Sequence, residues 1–188
     1  MAVLRVFTAI QLPNGLSQSI DKAIRRNLDH PTLRCVSQDA LHITLNFIGD
    51  VEDRETPALC KALSSRLDSH QPFEVQLDGL GAFPNFDRPR VLWIGVKEGS
   101  EEISLINQQL RETIEDFGFV QEKRFLPHLT VARVQNRNLE QPALKKIQSA
   151  FERSQWPAFT ARSVIVFNSI LEKSGPVYIP LATMSLTS

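Results

Sequence analysis

Two histidines and two threonines stand in a repeated four-residue pattern. His42-Ile43-Thr44-Leu45 and His128-Leu129-Thr130-Val131 each read His-x-Thr-x with an apolar residue at both x positions. In a strand, successive side chains point to opposite faces. Each copy therefore sets an imidazole and a hydroxyl side by side on one face and backs them with two core residues. An unperturbed histidine titrates near pH ~6.5, so one imidazole can take a proton while another gives one. Phosphodiester chemistry needs such a pair, a base for the attacking oxygen and an acid for the leaving oxygen. The two hydroxyls would donate hydrogen bonds to the non-bridging phosphate oxygens as charge develops there.

Other chemistries find no foothold in the residues. There is no Gly-x-Ser-x-Gly elbow, no Walker-type phosphate loop and no dinucleotide fingerprint. Neither motif histidine has another His, Cys or carboxylate at metal-ligand spacing, so a metal-free mechanism without a cofactor is expected. His30 and His70 lie in polar, turn-like segments and read as solvated surface.

The elements that must carry the motifs follow from periodicity and punctuation. Strands are expected at 3–10, 33–36, 41–48, 73–80, 91–96, 125–134, 159–170 and 177–181. Helices are expected at 16–28, from Pro57 to Leu67, at 101–117 and at 142–151. Gly49-Asp50 should end the first motif strand, and 81–89 should be a loop. Ile103, Ile106, Leu110, Ile114 and Phe117 should line the apolar face of the third helix.

The chain has 188 residues, 42% hydrophobic and 22% charged, with zero formal net charge. That balance is ordinary for a soluble globular protein and gives no global attraction for nucleic acid. An anionic ligand must be held by a local patch. No stretch approaches the ~20 apolar residues of a membrane span, and the N-terminal run lacks the layout of a signal peptide. A cytoplasmic monomer without a membrane partner is the expectation. Cys35 and Cys60 lack metal-like spacing and read as incidental free thiols.

The two halves of the chain are related. Arg5-Val6-Phe7 lies 85 residues before Arg90-Val91-Leu92, His42 lies 86 before His128, and Pro57-Ala58-Leu59 lies 85 before Pro142-Ala143-Leu144. The expected fold is α+β and bilobal, a pseudo-twofold repeat over residues 1–188. Each lobe would be an antiparallel sheet with two helices, with a cleft between the lobes where small ligands usually bind. The lobes are expected to exchange strands, so that both termini meet in one lobe.

The paired motifs resemble the signature of the two-histidine (2H) phosphoesterase superfamily. The flanks narrow the resemblance. Arg5-Val6-Phe7-Thr8-Ala9-Ile10, Leu41 through Asp50, Pro89-Arg90-Val91-Leu92-Trp93, and Pro127-His128-Leu129-Thr130-Val131-Ala132-Arg133 look like the bacterial RNA 2',3'-cyclic phosphodiesterases, first described as 2'-5' RNA ligases. The resemblance implies metal-independent hydrolysis of a terminal 2',3'-cyclic phosphate on RNA to a 2'-phosphomonoester, with 2'-5' ligation as the related reverse reaction. It implies His42 as proton donor, His128 as proton acceptor, Thr44 and Thr130 as phosphate-binding residues, and RNA ends or oligonucleotides as partners. Symmetry leaves the polarity of the two histidines open.

Arg133, in the family's pattern, would contact phosphate or base. Its odd offset from His128 points it away from the cleft unless the strand has ended or bulged. Lys123 and Arg124 would extend a basic patch or simply be solvated. Phe7, Phe47 and Phe83 would either stack on bases or pack in the core. Two rival readings remain: a phosphodiesterase for small cyclic nucleotides or 2'-5' oligonucleotides, and a module that grips RNA ends without turnover.

Overall fold

A computed structural model describes residues 2–135, 139–173 and 175–187. In chain order it contains β1 (Val3–Gln11), α1 (Asn14–Asn27), β2 (Leu33–Cys35), a short 3-10 turn at Gln38–Ala40 and β3 (His42–Glu52). Next come α2 (Thr56–Leu67), β4 (Phe73–Phe83), β5 (Val91–Glu98), α3 (Ser100–Asp116) and β6 (His128–Val134). The chain ends with α4 (Gln141–Glu152), β7 (Phe159–Ala161), β8 (Ser163–Glu172) and β9 (Gly175–Ser185).

The strands form one antiparallel sheet in the order β7-β4-β5-β6-β3-β1-β8-β9, with β2 added beside β6. Read outward from the β6–β3 junction, the order is symmetric: β3 answers β6, β1 answers β5 and β8 answers β4. The two lobes are thus halves of one curled sheet. Their strands are exchanged as the repeat led us to expect, since β1 pairs with β8 and β8 with β9 in the same half. Helices α2 and α3 pack on each other, α2 also meeting β9 and α3 meeting β3, whereas α4 packs on β4. Helices α2 and α4 each carry a proline as their second residue, Pro57 and Pro142, in the first turn where the missing N–H costs nothing.

The helical side of the sheet holds the core. Ile43, Leu45, Leu129 and Val131, the apolar residues of the motifs, are all buried there, with Ile103, Ile106, Leu110 and Ile114 of α3. Phe117 falls just beyond α3 and is exposed, so it does not belong to that apolar face. On the other side a smaller apolar layer of Phe7, Ala9 and Phe167, joined by Ile165 and Tyr178, surrounds the first motif.

Several expected boundaries move. The first motif strand does not stop at Gly49-Asp50. Gly49 adopts φ 92° inside β3, where the register with β1 slips between Val6 and Phe7, so the glycine makes a bulge rather than a turn. Strand β4 runs on through Gly81 to Phe83, pairing with β5 to its end. The expected strand at 159–170 breaks at Arg162 into β7, which pairs with β4, and β8, which pairs with β1. The second motif strand starts at His128, not Phe125. The repeat is also offset differently in its first strands: Ile10 faces Ile43 where Ile94 faces Leu129, an offset of 84 residues rather than 85.

Two further bulges shape the motif strands. The β1–β3 register slips between Thr8 and Ala9, which face Asn46 and Thr44, leaving Leu45 as an extra residue. The β5–β6 register slips between Leu92 and Trp93, which face Ala132 and Thr130, leaving Val131 extra. Both extra residues stand three positions after the motif histidine. A bulge withdraws a carbonyl from the ladder, and a buried carbonyl needs a donor. The Nδ2 group of Asn107, on α3, donates to the Leu45 carbonyl at 2.8 Å. The Val36 N–H, just past β2, donates to the Val131 carbonyl at 2.9 Å. Asn46 completes the first knot: its N–H donates to Thr8 Oγ1 at 3.1 Å and its Nδ2 to the Asn107 carbonyl at 3.2 Å.

Asn107 is 5% exposed, so Asn107→Leu leaves a buried carbonyl without its donor. The expected loss is about 1–3 kcal/mol of unfolding free energy, read from the denaturant midpoint. Wild-type stability in this variant would show that the bulge needs no such support.

Candidate active site

The motif strands β3 and β6 meet antiparallel at the Ile43–Leu129 rung. That sense places His42 across from Thr130 and His128 across from Thr44. Alternation turns all four side chains to the face opposite the helical core, and all four are half-buried. Each imidazole therefore has a hydroxyl next to it on its own strand and another across from it.

Each histidine is the first residue of its strand, and each ring is fixed in the same way. Nδ1 of His42 lies 2.8 Å from the Ala40 carbonyl, and Nδ1 of His128 lies 2.7 Å from the Leu126 carbonyl. A carbonyl oxygen can only accept, so Nδ1 carries the proton and donates in both rings. The Nε2 atoms are left for chemistry, as lone pairs when the rings are neutral and as N–H donors when they are charged.

Aromatic rings hold the imidazoles from the sides. His42 lies between Phe7, at 5.1 Å between centroids and tilted, and Tyr178, edge-on at 5.1 Å. His128 has Phe83 edge-on at 4.9 Å and Trp93 at 5.8 Å. Trp93 packs closely against Gly81, where a Cβ would fall 2.1 Å from the indole. Tyr178 and Trp93 escaped the sequence reading as site residues. Trp93 sits one strand away from its histidine and Tyr178 three, and a strand pattern does not name its neighbours. The retrievable hint was the repeat, because Trp93 faces Thr130 where Ala9 faces Thr44.

The three phenylalanines considered as base-stacking residues separate cleanly. Phe7 is 2% exposed and packs on His42, Phe167 and Tyr178, so no base can reach it. Phe83 is committed to Trp93 and His128. Phe47 is 52% exposed, with the Arg5 guanidinium 5.2 Å from its ring centroid, and of the three only it offers a broad open surface.

Arg133 comes to the site because of the second bulge. Val131 and Ala132 are both buried, and the alternation resumes with Arg133 on the face of His128 and Thr130. The offset of five that should have turned it away is undone by the one extra residue. Its charge depresses both imidazoles and the Tyr178 hydroxyl, which locates the guanidinium within electrostatic reach of all three. Phe47 holds the corresponding place after the first bulge, five residues beyond His42.

Burial pushes His42 down from its ordinary value to about 4. The Ala40 carbonyl resists this, while the His128 and Arg133 charges add to it. Burial also lowers His128, opposed by the Leu126 carbonyl and reinforced by Arg133. Burial raises Tyr178, and Arg133 works against that shift. At neutral pH the free site therefore presents two neutral imidazoles beside one guanidinium. Such a constellation lacks one thing, a negative charge. An anion placed among these groups would favour protonation of an imidazole.

Other expected features fall elsewhere. His30 and His70 are half-buried rather than solvated: His30 Nδ1 lies 2.8 Å from Thr32 Oγ1, and His70 Nε2 lies 2.5 Å from Gln109 Oε1. Lys123 and Arg124 are exposed in the segment before β6. Cys35 and Cys60 are both free. Among the described residues no three His, Cys, Asp or Glu side chains gather as metal ligands, and no helix is long and apolar enough to cross a membrane. The curl of the sheet brings Tyr178 of β9 against His42 of β3, so the histidine face forms a groove between the two halves. A separate hollow of about 450 Å³ lies on the helical side, lined in part by Lys22, Arg26, Arg153 and Trp156.

Comparison with known proteins agrees with this geometry. Residues 12–165 match the family model described as the 2'-5' RNA ligase superfamily. A protein of Archaeoglobus fulgidus named RNA 2',3'-cyclic phosphodiesterase is 32% identical over 175 residues, 93% of this chain and 96% of that one. A protein of the same name from Aeropyrum pernix is 36% identical over 148 residues, 78% of this chain and 82% of that one. The fold is also similar to E. coli LigT crystallised with 3'-AMP, with a TM-score of 0.81 at 24% identity over the full length of both chains.

The depressed imidazoles make two measurable statements. NMR titration of the free protein should place the His42 midpoint at about 4, and Arg133→Gln should raise the midpoints of both motif histidines. Because His42 holds its proton less tightly folded than unfolded, its contribution to stability is full above pH ~6.5 and fades as the pH falls towards about 4. A His42 midpoint at or above 6.5 would contradict the buried, repelled setting described here.

Proposed function

The chain belongs to the 2'-5' RNA ligase superfamily, and on that premise we propose that it is an RNA 2',3'-cyclic phosphodiesterase. It opens a terminal 2',3'-cyclic phosphate to a 2'-phosphomonoester. The observation that carries this reading is the pair of imidazoles tied at Nδ1 to backbone carbonyls, set with two threonines about one antiparallel rung. A binding module needs donors for a phosphate but not two imidazoles with matched free Nε2 atoms.

In the reaction, water attacks phosphorus while His128 Nε2 takes its proton. The bond from phosphorus to the 3' oxygen breaks, and His42 Nε2–H gives that oxygen a proton. The phosphate remains on the 2' oxygen. Thr44 and Thr130 donate to the non-bridging oxygens, and Arg133 offsets the charge that builds there. Since the free site holds neutral imidazoles at pH 7, the substrate's own negative charge must draw the proton onto His42. The near symmetry about the Ile43–Leu129 rung also suits the related ligation, in which a 5' hydroxyl takes the place of water: it attacks the cyclic phosphate, loses its proton to one imidazole, and the 3' oxygen leaves with a proton from the other, giving a 2'-5' linkage. The site is complete within one chain, which supports action as a monomer. An RNA-end substrate and two unpaired cysteines fit the reducing cytoplasm.

Incubation of a 2',3'-cyclic phosphate oligonucleotide with the protein and EDTA should yield the 2'-phosphate, identified by phosphorus NMR. His42→Ala and His128→Ala should each lower kcat by roughly 10²–10⁴. Activity against pH should be bell-shaped for kcat/KM, with its optimum on the acid side of 6.5 because both free imidazoles are depressed. A 3'-phosphate product would reverse the leaving group. Absence of turnover on RNA ends, with turnover of small cyclic nucleotides or 2'-5' oligonucleotides, would move the substrate class.

A further inference from the structure

Strand β2 brings a second arginine to the histidine face. The β2–β6 register sets Arg34 directly opposite Arg133, so their side chains leave the sheet on the same side. Both are exposed, and among the described residues neither joins an ion pair; the three pairs present involve Arg25, Arg54 and Arg66. Like charges directly opposite on a sheet are destabilising, and nothing in the packing of β2 requires a cation there. Side-by-side guanidinium forks match phosphate oxygens.

The place of Arg34 is well defined. A Cβ built on Gly175 would lie 3.5 Å from Arg34 Nη2, so the guanidinium reaches from β2 to the β8–β9 hairpin in the other half of the sheet. It thereby stands one cross-strand step of ~5 Å from Arg133, on the β3 side of β6. The Arg34–Arg133 rung lies past the start of β3 at His42, so the two arginines stand side by side beyond the histidine pair. A cyclic phosphate at an RNA 3' end has nucleotides on its 5' side alone. A chain with its terminal phosphate between the histidines must leave along one direction of the groove, and the next charge it carries is the upstream phosphodiester.

We propose that Arg34 is a second phosphate-binding residue, taking the phosphodiester one nucleotide upstream of the terminal cyclic phosphate and so selecting RNA ends over mononucleotides. This rests on the reading of the site as a cyclic phosphodiesterase.

The test compares kcat/KM for a dinucleotide ending in a 2',3'-cyclic phosphate with that for the mononucleoside 2',3'-cyclic phosphate. In Arg34→Gln the ratio of the two should fall about tenfold, the effect of losing one charge-assisted contact, and Arg34→Lys should recover part of it. An uncharged methylphosphonate at the upstream linkage should abolish the difference between wild type and Arg34→Gln. A ratio unchanged in Arg34→Gln, or an equal loss with charged and uncharged linkages, overturns the proposal. Should wild type turn over neither substrate, the cyclic phosphodiesterase reading fails instead. Fluorescence anisotropy with a labelled dinucleotide 3'-phosphate then decides on Arg34: weaker binding by Arg34→Gln confined to the charged linkage supports the site, and equal binding overturns it.

Discussion

Everything at the groove depends on one antiparallel contact, the rung at which Ile43 of β3 meets Leu129 of β6. Both side chains are fully buried beneath the sheet, so the rung is anchored by burial on the helical side. What it positions is on the other side. Because the strands run in opposite senses, the rung acts as a local twofold axis, and each imidazole meets the other motif's hydroxyl. A parallel pairing would have put histidine beside histidine and threonine beside threonine, with no arrangement around a single phosphorus. The strand exchange that brings both termini into one half of the sheet is the topological route to this pairing.

The bulges three residues beyond each histidine are the second constraint. They end the register that the motifs share and tilt the following residues onto the groove face. On β6 this delivers Arg133, and on β3 it delivers Phe47. The same backbone device thus yields a cation at one end of the groove and an aromatic surface at the other. Each bulge exposes a carbonyl in a buried setting, and each carbonyl has its own donor, the Asn107 side chain in one half and the Val36 backbone in the other. The repeat has kept the need and answered it with different chemistry. The donor on the β6 side comes from the segment that carries Arg34, so fixing the bulge also fixes the outer end of the groove.

Electrostatically the groove favours an anion. Aromatic walls and burial hold both imidazoles neutral, and Arg133 deepens the effect. An enzyme whose acid is uncharged until an anion arrives ties protonation to occupancy. Tyr178 and Phe7 around His42 make its side the drier of the two, in keeping with its depression to about 4. The symmetric pair is therefore unequal in its surroundings although its sequence motifs match.

Much of this was legible before any coordinates. The His-x-Thr-x pattern carries its own facing rule, because alternation in a strand is local, and the repeat announced that the two copies belong together. Helix positions followed from apolar spacing and from Pro57 and Pro142, which act within a turn or two of chain. What the residues could not disclose was non-local. Nothing local in 159–170 distinguishes β7 from β8, because a strand's apolar pattern fits any partner. Arg133 looked misdirected because a bulge arises from two strands held out of step and cannot be read from one. Trp93 and Tyr178 became neighbours of the histidines only through pairing across strands. Sequence alone determined which groups make up the candidate site, since their identity and facing are properties of short segments. Tertiary structure decided what surrounds them, because burial, bulges and the Arg34–Arg133 pairing exist only once distant strands share one sheet.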